Sequence, residues 1–312
     1  MLEPRTGLIC GLPAGNKTFA DIFREWNDLP QRFNCLPQDH ASRRQIQETL
    51  GKHLKELLGL PAQETRPVLS VVKASSRSDR MVRQLVFETE PGVRLPAVEV
   101  SLVTSKPTGT VVFLGRSSDS VSAIPSLLAE RLRAVFVDLR GTGEIDSGGR
   151  RTDNWAWFLG RPWIGLWVED VNGVVSALST EYGNAPIGVV GVGQLAKPAL
   201  FAAALNPHIT SVIAGLPDLS YRHEAQRGLI ADVPRILAIT DLPAVVALVA
   251  PRSCWLQFPN GTDERELQLT YASSREFYQQ VAGNSSTFRL GFTGDPSWAD
   301  KAKWLAQCLR KN

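Results

Sequence analysis

From Pro67 onward the chain alternates short β-branched apolar runs with longer stretches whose apolar residues fall at helical spacing. Pro67–Lys73, Arg80–Thr89 and Leu95–Val103 are β-rich segments separated by turn residues. Thr110–Gly115 (TVVFLG) and Ala134–Leu139 (AVFVDL) are continuous apolar runs, as expected of strands buried on both faces. Ala123–Leu132 between them has a helical pattern. Strand, helix and strand with short links predict a parallel βαβ unit. Trp163–Leu178 places Trp163, Leu166, Trp167, Val171, Val174 and Val175 near one helix face. Ile209–Gly215, Ser253–Phe258 and Ser286–Phe292 are three more strands, and Asp300–Leu309 is a closing helix.

The first 66 residues follow a different pattern. Residues 1–17 are rich in glycine and proline and are expected to form an arm. Thr18 with Asp21 three residues on is a capping pair for a helix over Thr18–Asp28, where Phe19, Ile22, Phe23 and Trp26 recur at helical spacing. Ser42–Leu58 is a second helix, with Ile46, Leu50, Leu54, Leu57 and Leu58 on one face and Gly59 as its stop. We therefore divide the chain into an N-terminal arm and helical extension over 1–66, packed on a core domain over 67–312.

The rest of the chain is organised around Ile187–Leu205, IGVVGVGQLAKPALFAAAL. Ile187–Gly191 reads as a buried strand ending on glycine, and Ala199–Leu205 is built from good helix formers. Pro198 lacks an N–H and is tolerated only near a helix start, so the helix begins near Gln194 or Leu195 or has a distorted first turn. A strand, a tight glycine-bearing turn and a helix form the context of a nucleophile elbow, G-x-S-x-G. Here the position of the serine is Gly193, which has no side chain to attack a carbonyl. A dinucleotide loop is disfavoured, because G-V-G-Q-L-A lacks the third glycine of that fingerprint.

Composition narrows the chemistry. Net charge is +3 from 34 basic and 31 acidic residues spread along 312, which predicts neither a nucleic-acid nor a membrane partner. The cysteines, Cys10, Cys35, Cys254 and Cys308, make no C-x-x-C pair, although one disulfide is geometrically conceivable. The histidines, His40, His53, His208 and His223, fall in no metal-binding pattern. No metal and no cofactor is expected. The N-terminus MLEPRTGLICGLPAGNK has no basic-then-apolar leader pattern, which leaves the compartment open.

Taken in order, LKELLGLP (54–61), LVFETEPGVRLPAVEVSL (85–102), VDLRGTGE (137–144), FLGRPWIGLWVEDVNGVVSAL (158–178), GVGQLAKPALFAAAL, GLPDLSYRHE and ITDLPAVVALVAPR (239–252) resemble the acetyl-xylan-esterase-like branch of the α/β-hydrolases. The resemblance covers roughly Arg43 to Leu309. It implies an α/β-hydrolase fold, a mostly parallel central sheet flanked by helices with an N-terminal helical extension. The first β-rich segments would be its antiparallel lead-in strands. It also implies a serine esterase acting on acetylated polysaccharide or a similar ester. Such an enzyme needs a serine at the elbow, an acid after the family's seventh strand and a histidine after its eighth. The histidine takes the serine proton, the acid orients it, and backbone N–H groups hold the oxyanion.

Carried over residue by residue, the nucleophile position is Gly193, and Leu195 and Ala196 stand where small glycines belong. Asp263 in PNGTDE is the best match for the acid, with a solvated turn aspartate as the competing reading. The loop TGDPSWAD, where the histidine belongs, offers Asp295, Ser297 and Trp298 but no histidine. Gly193, Asp263 and Asp295 are thus vestigial positions of an incomplete triad. Gly115, Arg116, Ser117, Ser118, Gln194, Tyr221 and His223 are candidates for a pocket around them. Trp155, Trp157 and Trp163 could stack on sugars but fit core and lid packing better, and Arg140 reads as structural. Three readings follow: an esterase-like domain that has lost catalysis, an active esterase with an unorthodox group such as Ser117, Ser118 or His223, and a carbohydrate-binding or assembly module working with a catalytic partner domain.

Overall fold

A computed structural model describes residues 15–18, 21–22, 40–61, 66–115, 118–146, 156, 160–227, 232–282, 287–294 and 297–310. In chain order its elements are α1 (His40–Leu57), β1 (Val68–Arg77), β2 (Arg80–Glu90), β3 (Val93–Leu102), β4 (Gly109–Leu114), α2 (Ser118–Ser122), α3 (Ile124–Ala129) and β5 (Leu132–Val137). There follow α4 (Trp163–Glu181), β6 (Ile187–Val192), α5 (Ala196–Leu205), β7 (Ile209–Gly215), α6 (Tyr221–Gln226), α7 (Ile236–Ile239) and α8 (Leu242–Val249). β8 (Ser253–Phe258), α9 (Glu264–Thr270), α10 (Ala272–Ala282), β9 (Phe288–Phe292) and α11 (Trp298–Arg310) complete the chain.

The strands form one nine-stranded sheet in the order β1-β2-β3-β5-β4-β6-β7-β8-β9. β1, β2 and β3 pair antiparallel, β3 meets β5 antiparallel, and every pairing from β5 to β9 is parallel. The inner parallel strands β4, β5, β6, β7 and β8 are buried on both faces, which explains their largely apolar runs, whereas the edge strand β9 is only partly buried. Along β4, Val112 and Leu114 join one apolar cluster while Val111 and Phe113 join another. The first cluster holds α1, α4, α5, α8 and α10, and the second holds α3 and α11. Residues of opposite parity face opposite sides of a pleated strand, so these clusters are the two layers around the sheet. The edge strand β1 is exposed along nearly its whole length.

Apart from Lys197, α5 is apolar all round, and it is buried from Ala196 through Ala203. Its first turn is distorted as Pro198 predicts: a 3₁₀ turn over Gly193–Leu195 precedes the α-helix. α1 buries Leu50 and Leu54 completely, as the turn after it does Leu58, and the helix ends where Leu60 N–H bonds to Lys55 O (3.0 Å) and Gly59 N–H to Glu56 O (3.1 Å). Of the helix expected at Thr18–Asp28, the described part is the cap. Asp21 N–H donates to Thr18 Oγ1 (3.2 Å), and Thr18 N–H donates back to Asp21 Oδ2 (2.9 Å). Cys254 and Cys308 are buried and are not joined in a disulfide, and Cys10 and Cys35 lie outside the described residues.

The sequence pattern did not reveal the helices after β7 and β8. α8 is LPAVVALV, whose β-branched residues and lack of a polar face read equally well as a strand. Its start is set by Asp241, which accepts from Leu242 N–H at 2.7 Å, and by Pro243 in the first turn. α6, α9 and α10 are short or polar, and burial of one side against neighbours defines them more than propensity does.

Candidate active site and its surroundings

β4 lies between β5 on one side and β6 on the other, so the chain reverses its direction of winding at β4. The carboxyl ends of strands at such a reversal open a crevice, the usual ligand position in an open parallel sheet. Gly115 ends β4 there, and the turn after β6 stands beside it: Leu195 Cδ1 is 3.0 Å from where a Cβ on Gly115 would lie.

The turn after β6 has the geometry of an elbow. A Cβ on Gly191 would sit 2.2 Å from Leu195 O, so the strand and the start of the helix cross too closely for any side chain. Gly193 has φ +62°, the left-handed conformation in which a strained nucleophile would be displayed, and a Cβ there would meet open space. Val192 and Gln194 flank it at the surface, and Leu195 is buried against the end of β4. The frame that lifts a side chain into the crevice is present, and the residue lifted has none.

The loops that would complete a triad carry other duties. Asp263, exposed after β8, is the N-cap of α9, its carboxylate accepting from Glu266 N–H at 2.9 Å. After β9, Ser297 and Asp300 cap α11 through a 2.7 Å hydrogen bond. Trp298 turns to Phe113, ring centroids 5.5 Å apart, on the opposite layer of the fold. Asp295, Arg116, Ser117, Trp155 and Trp157 lie outside the described residues, as does the Ser118 side chain. Trp163 packs edge-on against Trp167 (5.9 Å).

The histidines fall apart in space. His53 pairs with Glu56 on α1 at 3.4 Å, His40 opens α1, and His208 precedes β7 at the amino end of the sheet. His223 alone follows the carboxyl end of a parallel strand. It sits on α6, where Ser220 Oγ accepts from its N–H (3.1 Å) and Asp218 Oδ1 lies 3.3 Å from its Nδ1. Arg227 also donates to Asp218.

Tyr221, the first residue of α6, has its hydroxyl turned into the protein. It is fully buried; its hydroxyl donates to Asp232 at 2.7 Å, and Lys197 Nζ lies 4.2 Å from its ring centre. Lys197, buried on α5, also contacts Glu224 (2.7 Å) and Asp232 (3.0 Å). Burial pushes the Glu224 carboxyl above its ordinary value even though Lys197 opposes the shift. Asp241 is likewise raised by burial, against the N–H groups of Leu242, Tyr221 and Arg222 that it accepts from. This network clamps α6 and α8 onto α5.

Arg140, in the turn after β5, is held by partners from β2 and α4. Its Nε donates to Asp170 Oδ2 (2.9 Å) on α4, its Nη2 reaches Asp170 and Glu90, and Trp167 Nε1 donates to its carbonyl (2.8 Å). Thr89 Oγ1 completes the shell of Asp170 at 3.1 Å. Burial alone would weaken the charge on Arg140, but Asp170 and Glu90 outweigh it and hold the guanidinium above its ordinary value.

Among the described residues no cluster of His, Cys, Asp and Glu could hold a metal ion, and no helix is long and apolar enough to cross a membrane. The sequence analysis missed Arg222 and Glu266, which line a cavity of about 240 Å³ beside His223. The polar helices that carry them had no sequence pattern to single them out.

No family model matches the chain, and no curated protein matches its sequence. Solved structures do match its fold. A putative acetyl xylan esterase from Bacteroides fragilis NCTC 9343 superposes with a TM-score of 0.68 at 16% identity, covering 91% of this chain and 88% of its own. A glucuronoyl esterase from Solibacter usitatus gives 0.67 at 12% identity, over 90% and 97%. A CE15 glucuronoyl esterase from Teredinibacter turnerae T7901 gives 0.68 at 12% identity, over 93% and 90%. The chain has an α/β-hydrolase fold of the form found in these esterases.

Proposed function

We propose that this chain is an esterase-like α/β-hydrolase domain that has lost serine catalysis and is retained for binding or assembly. One observation carries the reading: the elbow presents Gly193 to open space, so the position that must supply the nucleophile has no atom to do so. The chain after β8 contains no histidine, and the carboxylate of Asp263 is spent on a helix cap. A serine hydrolase stripped of triad members keeps only about 10³–10⁴-fold catalysis over water. The fold shared with acetyl xylan and glucuronoyl esterases favours acetylated polysaccharide, or a catalytic domain acting on it, as the partner.

The test is hydrolysis of p-nitrophenyl acetate by the parent chain, Gly193→Ser and Asp263→Ala. No turnover above buffer is expected in any of the three, because the chain after β8, where the resemblance puts the triad histidine, has none to deprotonate a serine at position 193. Enzyme-like turnover in the parent that disappears in Asp263→Ala would overturn the proposal.

A second reading rests on the Asp218–His223 pair, half of a relay at the carboxyl side of the sheet. It predicts that a serine-directed fluorophosphonate labels the parent and that Ser117→Ala or Ser118→Ala abolishes labelling. An unlabelled parent removes it. The binding role is tested separately by titrating xylo-oligosaccharides, acetylated and not, where a flat titration removes the sugar partner.

A further inference from the structure

We propose that the cavity between α6, α8, α9 and α10 binds a small zwitterion of amino-acid type, with its carboxylate toward Arg222 and His223 and its ammonium toward Glu266. The cavity measures about 240 Å³ and is lined by Arg222, His223 and Gln226 from α6, Glu266 and Thr270 from α9, and Ser273 from α10. None of Gly115, Gly193 and Gln194 lines it, so it is a separate site from the crevice at the elbow. At about 30 Å³ per water it has room for roughly eight waters, or a ligand of about that many non-hydrogen atoms.

The charges on its walls select the ligand. Among the described residues neither the Arg222 guanidinium nor the Glu266 carboxylate has an ion-pair or hydrogen-bond partner, although both line the same cavity. The other acids nearby are committed. Asp218 is held by Arg227 and by His223 Nδ1, which leaves Nε2 as the remaining polar atom of the imidazole. Asp241 also lines the cavity, but it accepts three backbone N–H groups. An apolar ligand would strip water from charged groups of both signs without replacing it. A simple anion would meet Glu266, and a simple cation would meet Arg222. A ligand carrying both charges a few bonds apart satisfies both, and Thr270, Ser273 and Gln226 supply neutral hydrogen-bond groups for the remainder.

This site does not depend on whether ester hydrolysis survives, so its test is a binding measurement. The full chain is screened by thermal shift against each of the twenty common amino acids at about 10 mM, with acetate and methylammonium as half-ligands. We expect at least one amino acid to raise Tm, with its Kd weakened about tenfold or more by Arg222→Gln and by Glu266→Gln. Glu266→Lys is expected to abolish binding. Position 266 is exposed in the first turn of α9, so this variant folds, as its circular dichroism and unliganded Tm would verify. Failure of every amino acid to shift Tm overturns the proposal. So does a shift that survives both Glu266 variants, or acetate binding as tightly as the amino acid.

Discussion

Two turns at the carboxyl edge of the sheet, a strand apart, have fared differently. The turn after β5 holds Arg140 in a full shell: Asp170, Glu90, Thr89 and Trp167 all contact it or its partner. The turn after β6 keeps a close strand–helix crossing at Gly191 and a left-handed φ at Gly193, yet presents no reactive group. One turn locks the sheet to α4, so each of its parts is tied to stability. The other keeps the geometry of an elbow, and that geometry contributes to folding whether or not a side chain stands at position 193. The contrast separates what the fold requires from what a reaction requires.

The strongest way to break the comparison is at Asp170. Asp170→Ala leaves the largely buried Arg140 with only Glu90, and removing one partner of a buried pair costs about 3–5 kcal/mol. Urea unfolding should show a loss of that size; a loss below about 1 kcal/mol would mean the cluster is not what holds the turn.

Within the elbow, Gly191→Ala is the next largest change. A methyl 2.2 Å from Leu195 O forces the strand and helix apart at a cost of about 1–3 kcal/mol. Gly193→Ser meets no such atom and should cost about 1–2 kcal/mol, from the left-handed backbone alone. The ranking of the two midpoints checks the account: Gly193→Ser losing more than Gly191→Ala would show that the turn is not built around the crossing at Gly191.

Asp263→Ala should lose about 1 kcal/mol, the usual worth of an N-cap, with no effect on ester hydrolysis. A change in hydrolysis without a change in stability would return Asp263 to a catalytic role.

The smallest effects are in pH dependence, and they have opposite signs in two clusters. Arg140 and Arg161 overcome the burial of Glu90 and hold its pKa below the ordinary value, so its contribution to stability is lost as pH falls through that lowered value. Burial of Glu224 raises its pKa in the folded state. The folded chain then binds the proton first, and the contribution is fully present below the unfolded value near about 4.3 and lost as pH rises through the folded one. Relative to Glu90→Gln, the parent should therefore lose stability on acidification, and relative to Glu224→Gln it should gain. Equal slopes for the two pairs between pH 7 and about 4 would contradict both assignments.

Much of the fold was legible because strands buried on both faces and helices with one apolar face leave periodic marks. Ile209–Gly215 and Ser253–Phe258 were read to the residue, and of the two alternatives left open by Pro198 the structure has a 3₁₀ turn before α5. α8 was not legible, since an apolar run of its length has no period to distinguish helix from strand. At the elbow, the glycine at position 193 was legible, because a residue without a side chain can be seen in the chain itself. The rest of the site was not. Nothing local tells Tyr221 to bury its hydroxyl against Asp232, or sets Arg222 and Glu266 around one cavity.

The sequence by itself thus determined the succession of the strands, the helices with one apolar face before and after them, the glycine at the elbow and the lack of a histidine beyond β8, because each is a property of residue identity or short-range period. Only the tertiary structure decided which acids are committed to helix caps and ion pairs and which charges remain open to a ligand. Those partners come from segments far apart in the chain, and packing the helices onto the sheet is what brings them within hydrogen-bond reach.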